Sequence, residues 1–196
     1  MRPFLLFGTM LVAAALCSCA SSPQARFYTL SPQATQQPPS DATPVSVLIY
    51  PVSVPELANR QQIAVRTSSH QVSFNEFERW AAPLSDEISG AITADLEKLL
   101  SGSRVSSYSL TGDPSASYRV RIVVQSFEGS LGQAATVEVL WSVQPPTSEQ
   151  RVTGRTTVSE PASNSDYDAL VAAWSRALGV VSRDIASAIH TAHSSR

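Results

Sequence analysis

Two cysteines, Cys17 and Cys19, stand close together near the N-terminus, and they are the only thiols in the chain. Leu16 lies three places before Cys19 and the small Ser18 immediately before it. That arrangement matches a bacterial lipobox, in which the cysteine is acylated. Cys17 fits less well, because it would put Leu16 in the small-residue slot. Arg2 and an apolar run of about 13 residues precede the motif, too short for a membrane span of roughly 20 but suited to a signal-peptide core. Residues 1–18 therefore read as a lipoprotein signal peptide, with Cys19 as the lipidation site. The bland alternative is an ordinary cleaved signal with incidental cysteines, and no Ala-x-Ala site is better placed for it. After cleavage before Cys19 one cysteine remains, and it is acylated, so neither a disulfide nor a thiolate metal site is expected. Acyl chains contribute about 0.8 kcal/mol per buried CH₂, and more than one suffices for stable anchoring.

The other reactive side chains form no recognisable machinery. There is no G-x-S-x-G elbow, P-loop, Rossmann glycine fingerprint, H-E-x-x-H or C-x-x-C. His70 sits in a turn and reads as a solvated polar residue. His190 and His193 stand three apart near the C-terminus, and two ligands are too few for a structural zinc site. Glu76, Glu78, Asp86 and Glu87 surround Trp80, which reads as a solvated loop followed by a helix start. Arg119, Arg121, Arg151 and Arg155 make a basic strip on neighbouring strands, with pairing to Glu138 the simplest account. No enzyme activity, metal or cofactor is expected. The formal net charge of −2 and a charged fraction of 15% favour no nucleic acid partner. Lys98 is the only lysine, so charge-driven binding to anionic lipid is not expected either.

The elements that would position these residues are legible from periodicity. Residues 20–26 form a short tether of at most ~25 Å. Residues 27–30 read as a short first strand, and 31–44 as a loop rich in Pro and Gln. Residues 45–50 are apolar on both faces, as in a strand covered on both sides. Ile63, Val65 and Thr67 alternate with Ala64 and Arg66, and residues 71–77 repeat the pattern with Val72 and Phe74 on one side. The period then changes to that of a helix: Leu84, Ile88, Ala91, Ile92, Leu96 and Leu99 form one stripe. Ser85 is the expected N-cap, Asp86 and Glu87 suit the helix dipole, and Gly102 supplies the stop. Residues 104–110 form a further strand. The runs 118–124, 135–143 and 151–158 follow as an antiparallel meander, the last with Val152 and Val158 inward. The final helix carries Leu170, Val171, Trp174, Leu178, Val181, Ile185 and Ile189, with Ser165 as its expected cap. Gly179 within it suggests close packing against a strand. The expected fold is α+β: one twisted, mostly antiparallel or mixed sheet of about six strands, with two amphipathic helices on one face. Residues 27–196 read as a single domain.

Several ordered pieces carry a family resemblance. Residues 55–66 contain Pro55, Leu57, Arg60, Ile63, Val65 and Arg66, and Trp80, Pro83 and Leu84 follow. Phe27, Tyr28, Thr29 and Leu30 lie near the start, and Asp166, Tyr167, Asp168, Ala169, Leu170 and Val171 lead into the last helix. Together they resemble the ABC-type transport auxiliary lipoproteins, the PqiC/YmbA-like family. Asn59 and Gln61 replace the Asp and Pro frequent in the family, and Ala82 replaces a frequent Glu.

The resemblance implies an outer-membrane-anchored periplasmic lipoprotein that docks an MCE-domain protein and its associated inner-membrane and ABC transport components in lipid transport. A ring of identical subunits is compatible with that role. Ala20 after the acylated cysteine, rather than Asp, fits outer-membrane sorting. The alternative is a periplasmic lipid carrier with its own apolar cavity. Arg60, Arg66 and Trp80 are the candidate partner-binding residues, on loops expected at residues 54–62 and 75–82. Equally open is a structural account, with Trp80 capping the core and Arg60 paired to Glu56 or Glu78.

Overall fold

The computed structural model describes residues 23–36, 43–108, 114–146 and 148–194. The signal peptide and Cys19 lie outside the described residues, as does the middle of the 31–44 loop. Strands β1 (Arg26–Tyr28), β2 (Ser46–Ile49), β3 (Gln62–Ser68) and β4 (Gln71–Trp80) precede helix α1 (Leu84–Leu99). Strands β5 (Arg104–Ser107), β6 (Tyr118–Gly129), β7 (Ala134–Gln144) and β8 (Val152–Pro161) precede helix α2 (Tyr167–Ser194).

Among the described residues the class is α+β with two helices, as expected, but the strands form two mixed sheets in place of one. The larger runs β5-β2-β6-β7-β8 and the smaller β1-β4-β3. Strand β2 lies parallel to both β5 and β6, and Val47, Leu48 and Ile49 are all buried, as a run apolar on both faces requires. The β6-β7-β8 meander is antiparallel throughout. A register shift between Val124 and Ser126 changes the parity of β6, so Phe127 and Gly129 join the buried face begun by Tyr118, Val120, Ile122 and Val124. That shift breaks the alternation, which is why the sequence pattern stops at Val124 while the strand continues. On β8, Thr156 is buried and Val158 half-buried. Val152, expected inward, is exposed at the start of this edge strand.

Helix α2 packs on β7 and β8, α1 packs on β5, and the helices pack on each other. Apart from Leu99, which is half-buried, the apolar stripes read from the sequence are buried, and they join both sheets in one core cluster. The caps differ from expectation. Pro83, not Ser85, occupies the N-cap of α1, and its carbonyl accepts from Asp86 N at 2.8 Å and Glu87 N at 3.1 Å. At α2 the cap is Asp166, not Ser165: its Oδ1 accepts from Ala169 N at 2.8 Å, three positions on. Gly102 ends α1 at φ +83°, a conformation costly for any side chain with a Cβ.

After β1 the chain crosses the helices as a strap. Leu30 N donates to Glu87 Oε2 at 2.9 Å, and Ser31 N to Ser175 Oγ at 3.1 Å. Gln33 N and Ala34 N both donate to Asp95 Oδ1, at 2.6 and 2.7 Å. Ser182 Oγ donates to Asp95 Oδ2 at 3.2 Å, and Asp95 is fully buried. Gly179 faces this strap and not a strand: a Cβ there would lie 2.9 Å from Gln33 Cβ.

Candidate functional site

The sequence places its candidate contact residues around the β3-β4 hairpin, and the structure separates them into two layers. Pro55 begins a tight turn in which Ala58 N and Asn59 N both donate to the Pro55 carbonyl at 3.0 Å. The turn brings Arg60 over β4, where its guanidinium lies 4.9 Å from the centre of the Phe74 ring. Arg60 is thus stacked on an aromatic face and not paired to Glu56 or Glu78. Arg66, on β3, makes a fork to Glu128 on β6, with Nε to Oε2 at 2.8 Å and Nη2 to Oε1 at 2.7 Å. Its Nη1 also donates to the Ser69 carbonyl at 3.2 Å. Ala64 pairs with Phe74 and Arg66 with Val72 across the ladder, so these four share one side of the hairpin.

Trp80 lies beneath. Residues 75–80, expected as a loop, complete β4, and the Trp80 side chain enters the core at 4% exposure. Its ring centre is 5.8 Å from Trp174 and 6.2 Å from Phe127, and those two stack at 4.8 Å. Glu78, one pleat earlier, is also buried. It accepts from Tyr28 Oη at 2.7 Å and forms an ion pair with Arg26. Burial, followed by the hydrogen bond to Glu78, pushes the Tyr28 phenol up to about 12. Burial and then the Glu78 charge push Tyr167 up as well.

The acidic cluster expected around Trp80 is dispersed in space. Glu78 serves β1, Glu87 holds the strap, and Glu76 Oε2 accepts from Gln62 Nε2 at 2.9 Å. The basic strip is dispersed too. Arg155 pairs with Glu138 at 3.3 Å as expected, but Arg121 lies over Tyr50 at 4.4 Å and Arg151 donates to Gln144 at 3.3 Å. His193 Nδ1 lies 3.2 Å from Tyr118 Oη, and His70 Nδ1 2.9 Å from Ser69 Oγ. Among the described residues no cluster of three metal-ligating side chains occurs.

Two open depressions flank this region. One of about 460 Å³ is lined by Phe27, Arg60, Arg79, Trp80 and Pro83. A crevice of about 80 Å³ lies between Leu57, Ala64, Arg66, Val72 and Phe127. A third depression, about 440 Å³, lies near the C-terminal ends of the helices by Leu100, Arg183 and His190. Sequence reasoning missed Phe27 as an exposed aromatic and Asp95 as the strap's holder. Asp95 had a signal: it stands three after Ile92 and seven after Ile88, on the apolar stripe of α1, where an unpaired carboxylate would be costly.

The model of the ABC-type transport auxiliary lipoprotein component family matches residues 28–186, from β1 well into α2. The chain belongs to that family. Among solved structures, this auxiliary lipoprotein resembles a Xanthomonas campestris protein of the DUF330 family, with TM-score 0.67 and 22% identity over 83% of this chain and 93% of that one. A second crystal structure, of an uncharacterized protein, gives TM-score 0.70 at 20% identity over 85% and 99% of the two chains. Both likenesses show the shared fold. No curated protein matches in sequence. Family membership makes the chain an auxiliary component of an ABC-type transport system and a membrane-anchored periplasmic lipoprotein.

Proposed function

We propose that this auxiliary lipoprotein is acylated at Cys19, anchored in the outer membrane, and docks the far end of an MCE-type intermembrane lipid transport assembly. Residues 1–18 are the cleaved leader in this reading, 19–26 the tether and 27–196 the docking domain. The observation that carries it is the family match beginning at residue 28, just after a lipobox cysteine followed by Ala20. Side chains of both sheets and both helices fill one core cluster, so the working part is a surface, not a chamber. The outer side of the hairpin supplies that surface. It presents an arginine stacked on an aromatic ring at Arg60, and Arg66 beside the half-buried Val72 and Phe74. Arginine and aromatic side chains dominate the energetics of many interfaces. Trp80 supports this surface from below.

Capture from membranes tests the role. Tagged wild-type protein should retain an MCE-domain protein, and Arg60→Glu should lose it at an unchanged melting temperature. Arg66→Glu also breaks the Glu128 pair, so its stability must be measured alongside. Capture undiminished in both variants would move the contact elsewhere, and no MCE protein with wild type would overturn the role. Cys19→Ser should release the chain into the soluble periplasm. Stoichiometric lipid extracted from that soluble form would favour a carrier.

A further inference from the structure

We propose that the tether-side end of the small sheet lies against the membrane, with Phe27 and Phe77 as its contact residues. The proposal rests on acylation at Cys19. Phe27 is 64% exposed and Phe77 39% exposed, the only phenylalanines among the large exposed apolar side chains of the described residues. Phe27 pairs with Arg79 in the parallel β1-β4 ladder, and Phe77 stands two residues before Arg79 on β4. The alternating burial of residues 77–80 puts both rings on one side, where the Arg79 guanidinium donates to the Glu76 carbonyl at 2.7 Å and pairs with Glu76 Oε2 at 3.5 Å. Glu78 and Trp80, on the other side, are buried in the body of the protein.

Three physical points select lipid as the occupant. The tether reaches β1 directly: Phe27 is the second residue of that strand, and residues 20–26 span at most ~25 Å when extended. A covalent anchor of this length holds the face near the bilayer at an effective concentration of roughly millimolar, so a weak patch suffices. The patch is indeed small. A phenylalanine buries about 150–250 Å², so two partly exposed rings offer far less than the ~800 Å² a side of a stable protein interface. Aromatic side chains flanked by arginine, whose stem buries while its head stays wet, suit the headgroup boundary.

The test uses the acylated protein reconstituted in phosphatidylethanolamine and phosphatidylglycerol vesicles. Thr29→Cys introduces a free thiol on an exposed residue beside the patch while both phenylalanines remain. Ser187→Cys is the control: Tyr28 packs on Tyr167, and residue 187 is 20 residues further along α2, ~30 Å away. Each is labelled with an environment-sensitive fluorophore and exposed to spin-labelled lipid. The expected result is a blue-shifted, several-fold more strongly quenched probe at position 29 than at 187. Phe27→Glu with Phe77→Glu should abolish that difference while the protein still floats with the vesicles. Quenching that survives the double substitution would reflect tether proximity alone and overturn the proposal. A probe shielded from water but not reached by spin-labelled lipid would assign the face to another protein chain and also overturn it. Failure of wild type to float would overturn the acylation reading, and this one with it.

Discussion

Replacing Asp95 with alanine should release the strap. The carboxylate is fully buried and accepts two backbone N–H groups, from Gln33 and Ala34, together with the Ser182 hydroxyl. Alanine leaves both amides without an acceptor, and each buried unsatisfied donor costs about 1–3 kcal/mol. Part of that is recovered, because the desolvation of a buried carboxylate is no longer incurred and the strap can peel into water. A net loss of about 3 kcal/mol results, which for a domain of this size lowers the melting temperature by about 6–12 °C. Asparagine keeps an oxygen where Oδ1 stands, so Asp95→Asn should lose about 1 kcal/mol. Urea denaturation gives the totals, and amide exchange at residues 33 and 34 locates the effect. Alanine at wild-type stability, or asparagine as damaging as alanine, would refute the argument that these hydrogen bonds hold the strap.

Trp174 stacks on Phe127 and donates to the Glu128 carbonyl at 3.1 Å, so Trp174→Ala should cost about 3–5 kcal/mol by denaturant titration. The two helical glycines should respond with opposite sign. Gly90→Ala meets nothing within 4 Å and should gain about 0.5–1 kcal/mol in helix propensity. Gly179→Ala collides with Gln33 Cβ, an atom fixed to the strap backbone, and should lose about 1–2 kcal/mol with faster exchange in the strap. The raised Tyr28 pKa means that the folded state holds its proton more tightly than the unfolded state. The linked stability is fully present below pH 10 and is lost as pH rises through about 12. Absorbance titration should show late phenolate ionisation from Tyr28 and Tyr167, reduced by one tyrosine in Tyr28→Phe.

The secondary structure was legible because it is written in local periods. Ile63 and Val65, the stripe from Leu84 to Leu96, and Leu170 through Ile189 each state their spacing without reference to any other segment. Together with the short turns of the meander, those patterns yield the α+β class. The lipobox and the ordered family pieces are likewise properties of the linear chain. Partner choice between strands is not. The pairings of β1 with β4, and of β2 with β5 and β6, are parallel and join distant segments, so no local pattern could divide the strands into two sheets. The same holds for the candidate site. Arg60 and Arg66 were identifiable as residue types, but the Phe74 ring and the Glu128 carboxylate that fix them come from other strands. Residues 75–82 read as a loop in the sequence, and only the continuation of β4 with the arrival of Phe127 and Trp174 made Trp80 part of the interior. Asp95 completes the contrast: its place on an apolar stripe was visible in the sequence, while its acceptors' partners, 61 and 62 residues away, exist only once the strap crosses the helices.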